Sequence, residues 1–227
     1  MMTGLRDVAD RLLRRFREAP DREAGESERV KSAFTRTYLL NLWEDPESRS
    51  GPGSTLARTA ALREQVPALF SELGVRSVLD VGCGDFNWFR TLDLGEIDYV
   101  GVDVVEELIE QNRKKYGGPR RSFLAMDVAS EVPPRADLAF CRDCWVHLPN
   151  AQILASLQNL RASGARHLLA TTFTGRSDNP DIPLGDWRPI HLALPPFSLG
   201  APLRLLSEKE SVEDPSYADK AMGLWKL

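Results

Sequence analysis

Cysteine, basic excess and long apolar runs are all scarce in this chain, and each scarcity excludes a class of protein. The 227 residues include three cysteines, a small and odd number that disfavours a disulfide framework and favours a reducing, cytoplasmic compartment. The formal net charge of −4 lacks the basic excess typical of nucleic-acid-binding proteins. No apolar run approaches the roughly 20 residues of a membrane span. From the charge we expect no nucleic acid as partner, and from the short apolar runs no membrane.

The first segment has apolar residues at helical spacing, from Leu5 to Phe16, with arginines between them. A basic amphipathic helix can lie on a membrane or act as a transit segment. The acidic residues Asp7, Asp10 and Glu18 favour a helix that docks on the domain or on a second subunit. A polar linker follows, and a second helix is predicted over about residues 29–43.

Short buried strands then alternate with amphipathic helices. The predicted strands are 77–82, 97–104, 121–128, 136–141 and 165–173, and the predicted helices include 54–73 and 150–163, with Ser54 and Asn150 as caps. This alternation is typical of a mostly parallel sheet with helices on both faces. The alternation of strands and helices ends at 174–202, a proline-rich segment without a helical pattern that we expect to be functional. A terminal antiparallel hairpin is predicted after it.

The segment VLDVGCGDFNWF combines a buried strand, a Gly-x-Gly turn and the start of a helix. Gly82 and Gly84 allow a tight turn and the close approach of a ligand. The third glycine of the dinucleotide fingerprint is replaced by Asn87. Asp80 and Asp85 add negative charge at the turn, which disfavours a pyrophosphate and suits a cationic or zwitterionic ligand.

Acidic residues also end the next two strands. Asp103 follows Gly84 by 19 residues, where a carboxylate can accept both ribose hydroxyls of a nucleoside. Asp127 can accept a hydrogen bond from an adenine amino group, and the backbone N–H of Val128 can donate a hydrogen bond to the adenine. Together with an acidic turn for an ammonium group, these positions indicate S-adenosylmethionine as the cofactor.

These motifs resemble those of the class I S-adenosylmethionine-dependent methyltransferases. VLDVGCG is similar to the first family motif, GVDV to the second and AMDVAS to the third, and DLAFCRDCWVHL occupies the fourth position. The resemblance covers about residues 75–173 and implies an α/β, Rossmann-like sheet of order 3-2-1-4-5-7-6 whose last strand is antiparallel. It implies cofactor contacts from the following residues: Asp80, Gly82, Gly84, Asp85, Trp88, Asp103, Val104, Asp127, Val128 and Arg142.

The flanks SGPGS and NPDIPLGDWRPIHLALPPF resemble a bacterial subgroup that modifies small molecules or sugars. This second resemblance implies a sugar O-methyltransferase, similar to the actinobacterial enzymes of methylmannose polysaccharide synthesis. It divides the chain into a helical extension or lid, 1–53, and a methyltransferase domain, 54–227, with a substrate loop at 174–202. Three residues of the extension are expected to complete the lid or a homodimer contact: Arg36, Tyr38 and Trp43.

The stretch CRDCWVHLP follows the fourth strand, and ligands of such sheets bind at the carboxyl ends of strands. Asp143 and His147 are four residues apart and would share one face of a helical turn. We expect His147 to remove the acceptor's proton and Asp143 to orient it or to act as a second base. The alternative is that both bind Mg²⁺ together with a third ligand such as His191.

The segment 174–202 is expected to fold over the acceptor. Its carboxylates and arginines can bind sugar hydroxyls, and a tryptophan face can pack on a sugar ring; the alternative is a cover that does not contact substrate. The candidate substrate residues are Arg176, Asp186, Trp187, Arg188 and His191. An N- or C-methyltransferase and a non-catalytic S-adenosylmethionine-binding module remain alternatives to O-methylation.

Overall fold

The computed structural model describes residues 25–208 and 217–227. The predicted first helix and most of the turn of the terminal hairpin lie outside these residues. Among the helices described, none combines the length and the apolar character that crossing a membrane requires.

Seven strands form one sheet in the order β3-β2-β1-β4-β5-β7-β6. β7 is antiparallel to both of its neighbours, and the strands from β3 to β5 pair in parallel. This order confirms the α/β, Rossmann-like fold that the motifs imply. The strands are β1 (Ser77–Val81), β2 (Asp98–Asp103), β3 (Arg121–Ala125), β4 (Leu138–Cys141), β5 (His167–Phe173), β6 (Arg204–Ser207) and β7 (Lys220–Lys226).

Four α-helices flank the sheet in the described residues: α1 (Glu26–Leu40), α2 (Ala60–Glu72), α3 (Glu106–Tyr116) and α4 (Asn150–Ala162). Apolar residues of α2 and α3 share a buried cluster with one face of the sheet, and those of α4 share a cluster with the other face. α1 contacts α3 and α4, since Lys31 forms an ion pair with Glu106 of α3 and Gln152 of α4 donates a hydrogen bond to Glu26. The extension therefore lies at the edge of the sheet where the functional strand ends meet.

The two predicted helix caps are wrong. Ser54 belongs to a short 3₁₀ turn, and α2 begins only at Ala60. Asn150 is the first residue of α4, and its backbone N–H donates to Asp181 Oδ1 at 2.7 Å. A carboxylate 31 residues away in the sequence thus replaces the local cap that the pattern predicts.

The segment 174–202 contains no helix, as predicted. It packs along the end of β5 and the start of α4, with a backbone hydrogen bond from Phe173 to Ile190 of 2.7 Å. Ile190 and Leu192 are fully buried in the cluster around α4. The segment is therefore part of the folded core on that side of the sheet.

Candidate active site

A cavity lies at the carboxyl ends of β1 to β4, the place where open α/β sheets bind their ligands. The strand ends supply one wall, including Gly82, Asp103, Asp127 and Asp143. The opposite wall comes from α1 and the loop after it: Val30, Phe34, Tyr38, Trp43, Arg49 and Ser50. The cavity is thus built jointly by the strand ends of the sheet and by the extension.

The Gly-x-Gly turn has the close contacts that require glycine. Gly82 has φ of 71° and Gly84 has φ of 54°, in the left-handed region that favours glycine. A Cβ on Gly82 would be 2.7 Å from Cys144 Sγ, and one on Gly84 would be 2.1 Å from Ser50 Oγ. The turn therefore brings bare backbone to the cavity, as close approach of a ligand needs.

Asp103 and Asp127 line the cavity at the ends of β2 and β3, together with Val104 and Val128. Asp103 accepts hydrogen bonds from the backbone N–H of Gly84 at 3.1 Å and of Val105 at 3.0 Å. Burial raises the pKa of Asp103, although these backbone bonds oppose the change. The two carboxylates therefore lie at the ends of neighbouring strands, on one wall of the cavity.

Two other predicted cofactor residues do not line the cavity. Asp80 is buried in β1, where Tyr99 donates to it at 2.6 Å, and burial raises its pKa to about 7. Trp88 is buried against the rings of Phe89 and Phe140. The structure therefore directs both side chains into the core behind the Gly-x-Gly turn.

Asp85 holds the loop of the extension instead of facing the cavity. Its carboxylate accepts hydrogen bonds from Ser48 Oγ at 3.0 Å, Arg49 N at 2.8 Å and Ser50 Oγ at 3.2 Å. Its backbone N–H donates to Ser50 Oγ at 2.9 Å. This arrangement of Asp85 with residues 48–50, here called the Asp85 clasp, fixes the loop directly over the Gly-x-Gly turn.

His147 lines the cavity from a 3₁₀ turn, Trp145–His147. Its Nδ1 lies 3.1 Å from the backbone oxygen of Asp186, which can only accept, so Nδ1 carries the hydrogen and Nε2 keeps its lone pair. The ring packs near Trp43 and Phe34, with centroid distances of 5.8 Å and 6.5 Å.

Electrostatics favour the neutral form of His147. Burial lowers its pKa, and the hydrogen bond to the Asp186 carbonyl and the charge of Asp143 oppose that change in part. The ring is therefore harder to protonate than an ordinary histidine. A neutral imidazole with a free Nε2 can accept a proton from a bound hydroxyl.

Asp143 is not on a helical turn with His147, which corrects the prediction from their spacing. It precedes the 3₁₀ turn and has φ of 52°. Its Oδ2 lies 2.8 Å from Lys220 Nζ and 3.2 Å from Arg142 Nη1. Burial alone would raise its pKa, but these two cations outweigh burial and lower it to about 2. Asp143 is therefore ionised at neutral pH and is too weakly basic to serve as the second base.

Arg142 and Lys220 also share Glu208, at 2.6 Å and 3.2 Å from its Oε2. The exposed fractions of these three side chains are 3%, 2% and 0%, so the ion pairs lie inside the protein. Arg142 also donates to the backbone oxygen of Gly53 at 2.7 Å. This group of Arg142, Asp143, Glu208 and Lys220, here called the buried charge cluster, balances its charges and joins β4 and β7 to the extension.

The predicted Mg²⁺ ligands do not fit a cation. Asp143 already faces two positive side chains, and a divalent ion beside them would add repulsion. His191 lies outside the cavity lining, with Nδ1 at 2.9 Å from the backbone oxygen of Arg176. Within residues 25–208 and 217–227, no group of three histidine, cysteine or acidic side chains has the arrangement of a metal site.

The five candidate substrate residues of segment 174–202 also lie outside the cavity lining. Arg188 is buried and donates to Pro180 O and to Asn150 Oδ1, and Arg176 pairs with Asp219. Trp187 packs against the rings of Phe173 and Tyr217, and Asp186 contributes its carbonyl to His147. The structure thus supports the alternative of a cover that does not line the acceptor cavity.

Sequence reasoning missed several residues of the site. In the extension, Tyr38 and Trp43 line the cavity and Arg36 does not; their roles in a lid or a homodimer contact stay predictions. Phe34, Arg49 and Ser50 line it without having been predicted. Phe34 lies four residues before Tyr38 on α1, so helical spacing from Tyr38 could have found it.

Comparisons with known proteins agree with this arrangement. Residues 78–164 match the family model described as a methyltransferase domain. Ubiquinone biosynthesis O-methyltransferase from Methylococcus capsulatus is 27% identical over 135 residues, which are 57% of this chain and 56% of that protein. The chain thus matches about half the length of this curated relative.

Two solved structures share the fold. The 1,6-didemethyltoxoflavin-N1-methyltransferase of Burkholderia thailandensis, with its bound substrate and S-adenosylhomocysteine, has a TM-score of 0.60 at 19% identity and covers 92% of each chain. Magnesium protoporphyrin IX methyltransferase from Synechocystis PCC 6803, with bound SAM, has a TM-score of 0.57 at 15% identity and covers 91% of this chain and 99% of its own. At these identities the likeness shows the fold alone.

Proposed function

We propose that this S-adenosylmethionine-dependent methyltransferase transfers the methyl group to a hydroxyl of a small molecule. The observation that supports O-methylation is the free Nε2 of a neutral His147 at the cavity wall. We further propose that the described part of the extension, residues 25–53, is the lid of this site.

The residues at the strand ends fit the cofactor. Asp103 would accept hydrogen bonds from the ribose hydroxyls, and Asp127 would accept one from the adenine amino group. The turn at Gly82 and Gly84 would lie close to the methionine part. When bound, S-adenosylmethionine supplies an electrophilic methyl group on a sulfonium sulfur. The walls of the cavity would exclude water and align the acceptor with that group.

His147 would act as the general base. A hydroxyl is a weak nucleophile near neutral pH, so its proton has to be removed as it reacts. Nε2 would take that proton as the acceptor oxygen gains the methyl group. Bound S-adenosylmethionine would supply this group and leave as S-adenosylhomocysteine. The fixed negative charge of Asp143 stabilises the imidazolium that forms.

A saccharide is the acceptor class that we propose to test first. Its support is the resemblance of the flanking sequences and the flat ring of Trp43, on which a sugar ring can pack. The side chains of segment 174–202 give it no further support, because their polar groups bond inside the protein.

An acceptor screen read by release of S-adenosylhomocysteine tests this function, with Mg²⁺ and with EDTA in parallel. We expect turnover of hydroxylated small molecules that EDTA does not abolish. Turnover of other small molecules with no saccharide active would refute the saccharide proposal. Turnover that EDTA abolishes would restore the metal role of Asp143 and His147.

The variant His147→Ala tests the base on any acceptor that the screen finds. We expect a loss in kcat of about 100- to 10,000-fold, with unchanged affinity for S-adenosylhomocysteine in calorimetry. An amine acceptor can lose its proton to water, so full activity of His147→Ala would favour N-methylation. Binding of S-adenosylhomocysteine without turnover of any acceptor would favour a non-catalytic module.

A further inference from the structure

We propose that Arg49 binds the carboxylate of the cofactor's amino-acid group, so that the extension recognises the cofactor as well as covering it. The inference rests on the cofactor of the proposed function, and it adds a binding residue outside the strand-end motifs. It also replaces Arg142, the arginine that the resemblance assigned to the cofactor.

The direction of the cofactor follows from the strand order. Asp127 ends the third motif at β3 and Asp103 lies at β2, so the nucleoside occupies that side of the cavity. The amino-acid group then extends toward β1 and β4, past Gly82 and Gly84. That end of S-adenosylmethionine has a carboxylate, which needs hydrogen-bond donors and favours a cation.

Arg49 and Arg142 are the arginines that line the cavity in the described part of the chain. Arg142 donates to Glu208 and to Gly53 O inside the buried charge cluster, and its side chain is 3% exposed. Arg49 is exposed at the cavity and forms no ion pair with a described residue. Of the two, Arg49 is the one whose guanidinium remains available to a ligand.

The Asp85 clasp holds the backbone of Arg49 in place. Its N–H donates to Asp85 Oδ2 at 2.8 Å, and the neighbouring Ser50 Oγ lies against Gly84. Burial and the charge of Asp85 raise the pKa of Tyr38, and the positive charge of Arg49 opposes that increase. Tyr38 also lines the cavity.

Calorimetry with two ligands tests the proposal on the full chain: S-adenosylhomocysteine and its analogue that lacks only the carboxylate. In the variant Arg49→Gln we expect S-adenosylhomocysteine to bind about tenfold more weakly, the size of one charge-assisted hydrogen bond at an accessible site. The decarboxylated analogue should bind as it does to the wild type. Arg49→Lys should keep part of the preference, because the charge remains while the paired donors are lost.

The matched control is Arg36→Gln, since Arg36 is an exposed arginine of α1 outside the cavity lining. It should change the affinity for neither ligand. Equal weakening of both ligands by Arg49→Gln would refute carboxylate recognition, and so would unchanged affinity for both. The ratio of the two affinities is measured on one sample, so partial misfolding of a variant cancels.

The binding experiment does not depend on the acceptor. If no hydroxyl is methylated but the carboxylate preference is lost in Arg49→Gln, the proposed function fails and this inference stands. If O-methylation is found and the carboxylate preference is unchanged in Arg49→Gln, the proposed function stands and this inference fails.

Discussion

The two halves of the cavity are built by different means. The half that we propose for the cofactor, here called the cofactor half, consists of strand ends and a glycine turn, where Asp103 is held mainly by backbone N–H groups and burial raises its pKa. In the half that we propose for the acceptor, Asp143 faces Lys220 and Arg142, which lower its pKa. The pKa values of two carboxylates of one cavity thus shift in opposite directions, because only Asp143 faces cations, the adjacent Arg142 and the distant Lys220.

The largest expected effect concerns Asp80, which lies in the core behind the cofactor half. Its folded-state pKa of about 7 is above the ordinary 3.8, so the folded state holds the proton more tightly and stability falls as pH rises between these values. In the wild type, this loss in the free energy of unfolding amounts to about 4 kcal/mol at pH 8. We expect the variant Asp80→Asn to lack it. Urea unfolding at several pH values measures it.

Asp143→Asn is the matched comparison. The lowered pKa of Asp143 means that its stabilisation is fully present above pH 3.8 and is lost as pH falls toward 2. Its variant should therefore change the pH dependence only in that acidic range. A parallel pH dependence for the two variants would contradict the contrast between the halves.

The next largest effect on the free energy of unfolding is expected when Lys220 is removed from the buried charge cluster. In Lys220→Met, Asp143 and Glu208 share Arg142 alone, and we expect a loss of about 3 kcal/mol in the free energy of unfolding. Lys226→Met, at an exposed position of β7, is the control and should change stability by less than about 0.5 kcal/mol. Equal effects of the two variants would show that the cluster is not stabilising.

Glycine in the cofactor half should be less costly to replace. Gly82→Ala introduces both the strain of a positive φ and a contact with Cys144, whereas Gly74→Ala introduces the strain alone, with no atom within 4 Å of its Cβ. We expect Gly82→Ala to cost about 2 kcal/mol more in unfolding free energy. It should also weaken binding of S-adenosylhomocysteine, and similar results for the two alanines would contradict the close approach at Gly82.

The smallest effect links Asp143 to the base. The negative charge of Asp143 raises the pKa of His147, so Asp143→Asn should lower it further. The acid limb of kcat/KM, where activity falls as His147 gains a proton, should then move to lower pH. An unchanged limb in this variant would mean that the two side chains are not electrostatically coupled during turnover.

Much of the fold, and the Gly-x-Gly turn at the cavity, could be predicted because their signals are local. Alternating buried strands and helices predict the parallel sheet, and the Gly-x-Gly turn needs only adjacent residues. The partners of polar side chains are not local. Asp85 bonds to a loop 35 to 37 residues earlier, and Asp143 pairs with a lysine 77 residues later. Charge and residue type at one position do not reveal which distant donor the fold will bring to it.

The segment 174–202 shows the same difference within one stretch of sequence. Its lack of helix follows from its prolines, but its arginines and carboxylates were expected at the substrate. Arg188 and Asp181 instead bond to Asn150 at the start of α4. Arg188 is buried, and a buried polar group must find a partner wherever the fold offers one.

The hydrogen bond from His147 to the carbonyl of Asp186 has a consequence for mutational tolerance. Because the acceptor is a backbone atom, exchanging the side chain at position 186 leaves it in place. The proton distribution on the imidazole is therefore insulated from point substitutions in that stretch. Side chains there can be varied in an engineering library with little risk to the protonation state of the base, as long as the local backbone path is kept.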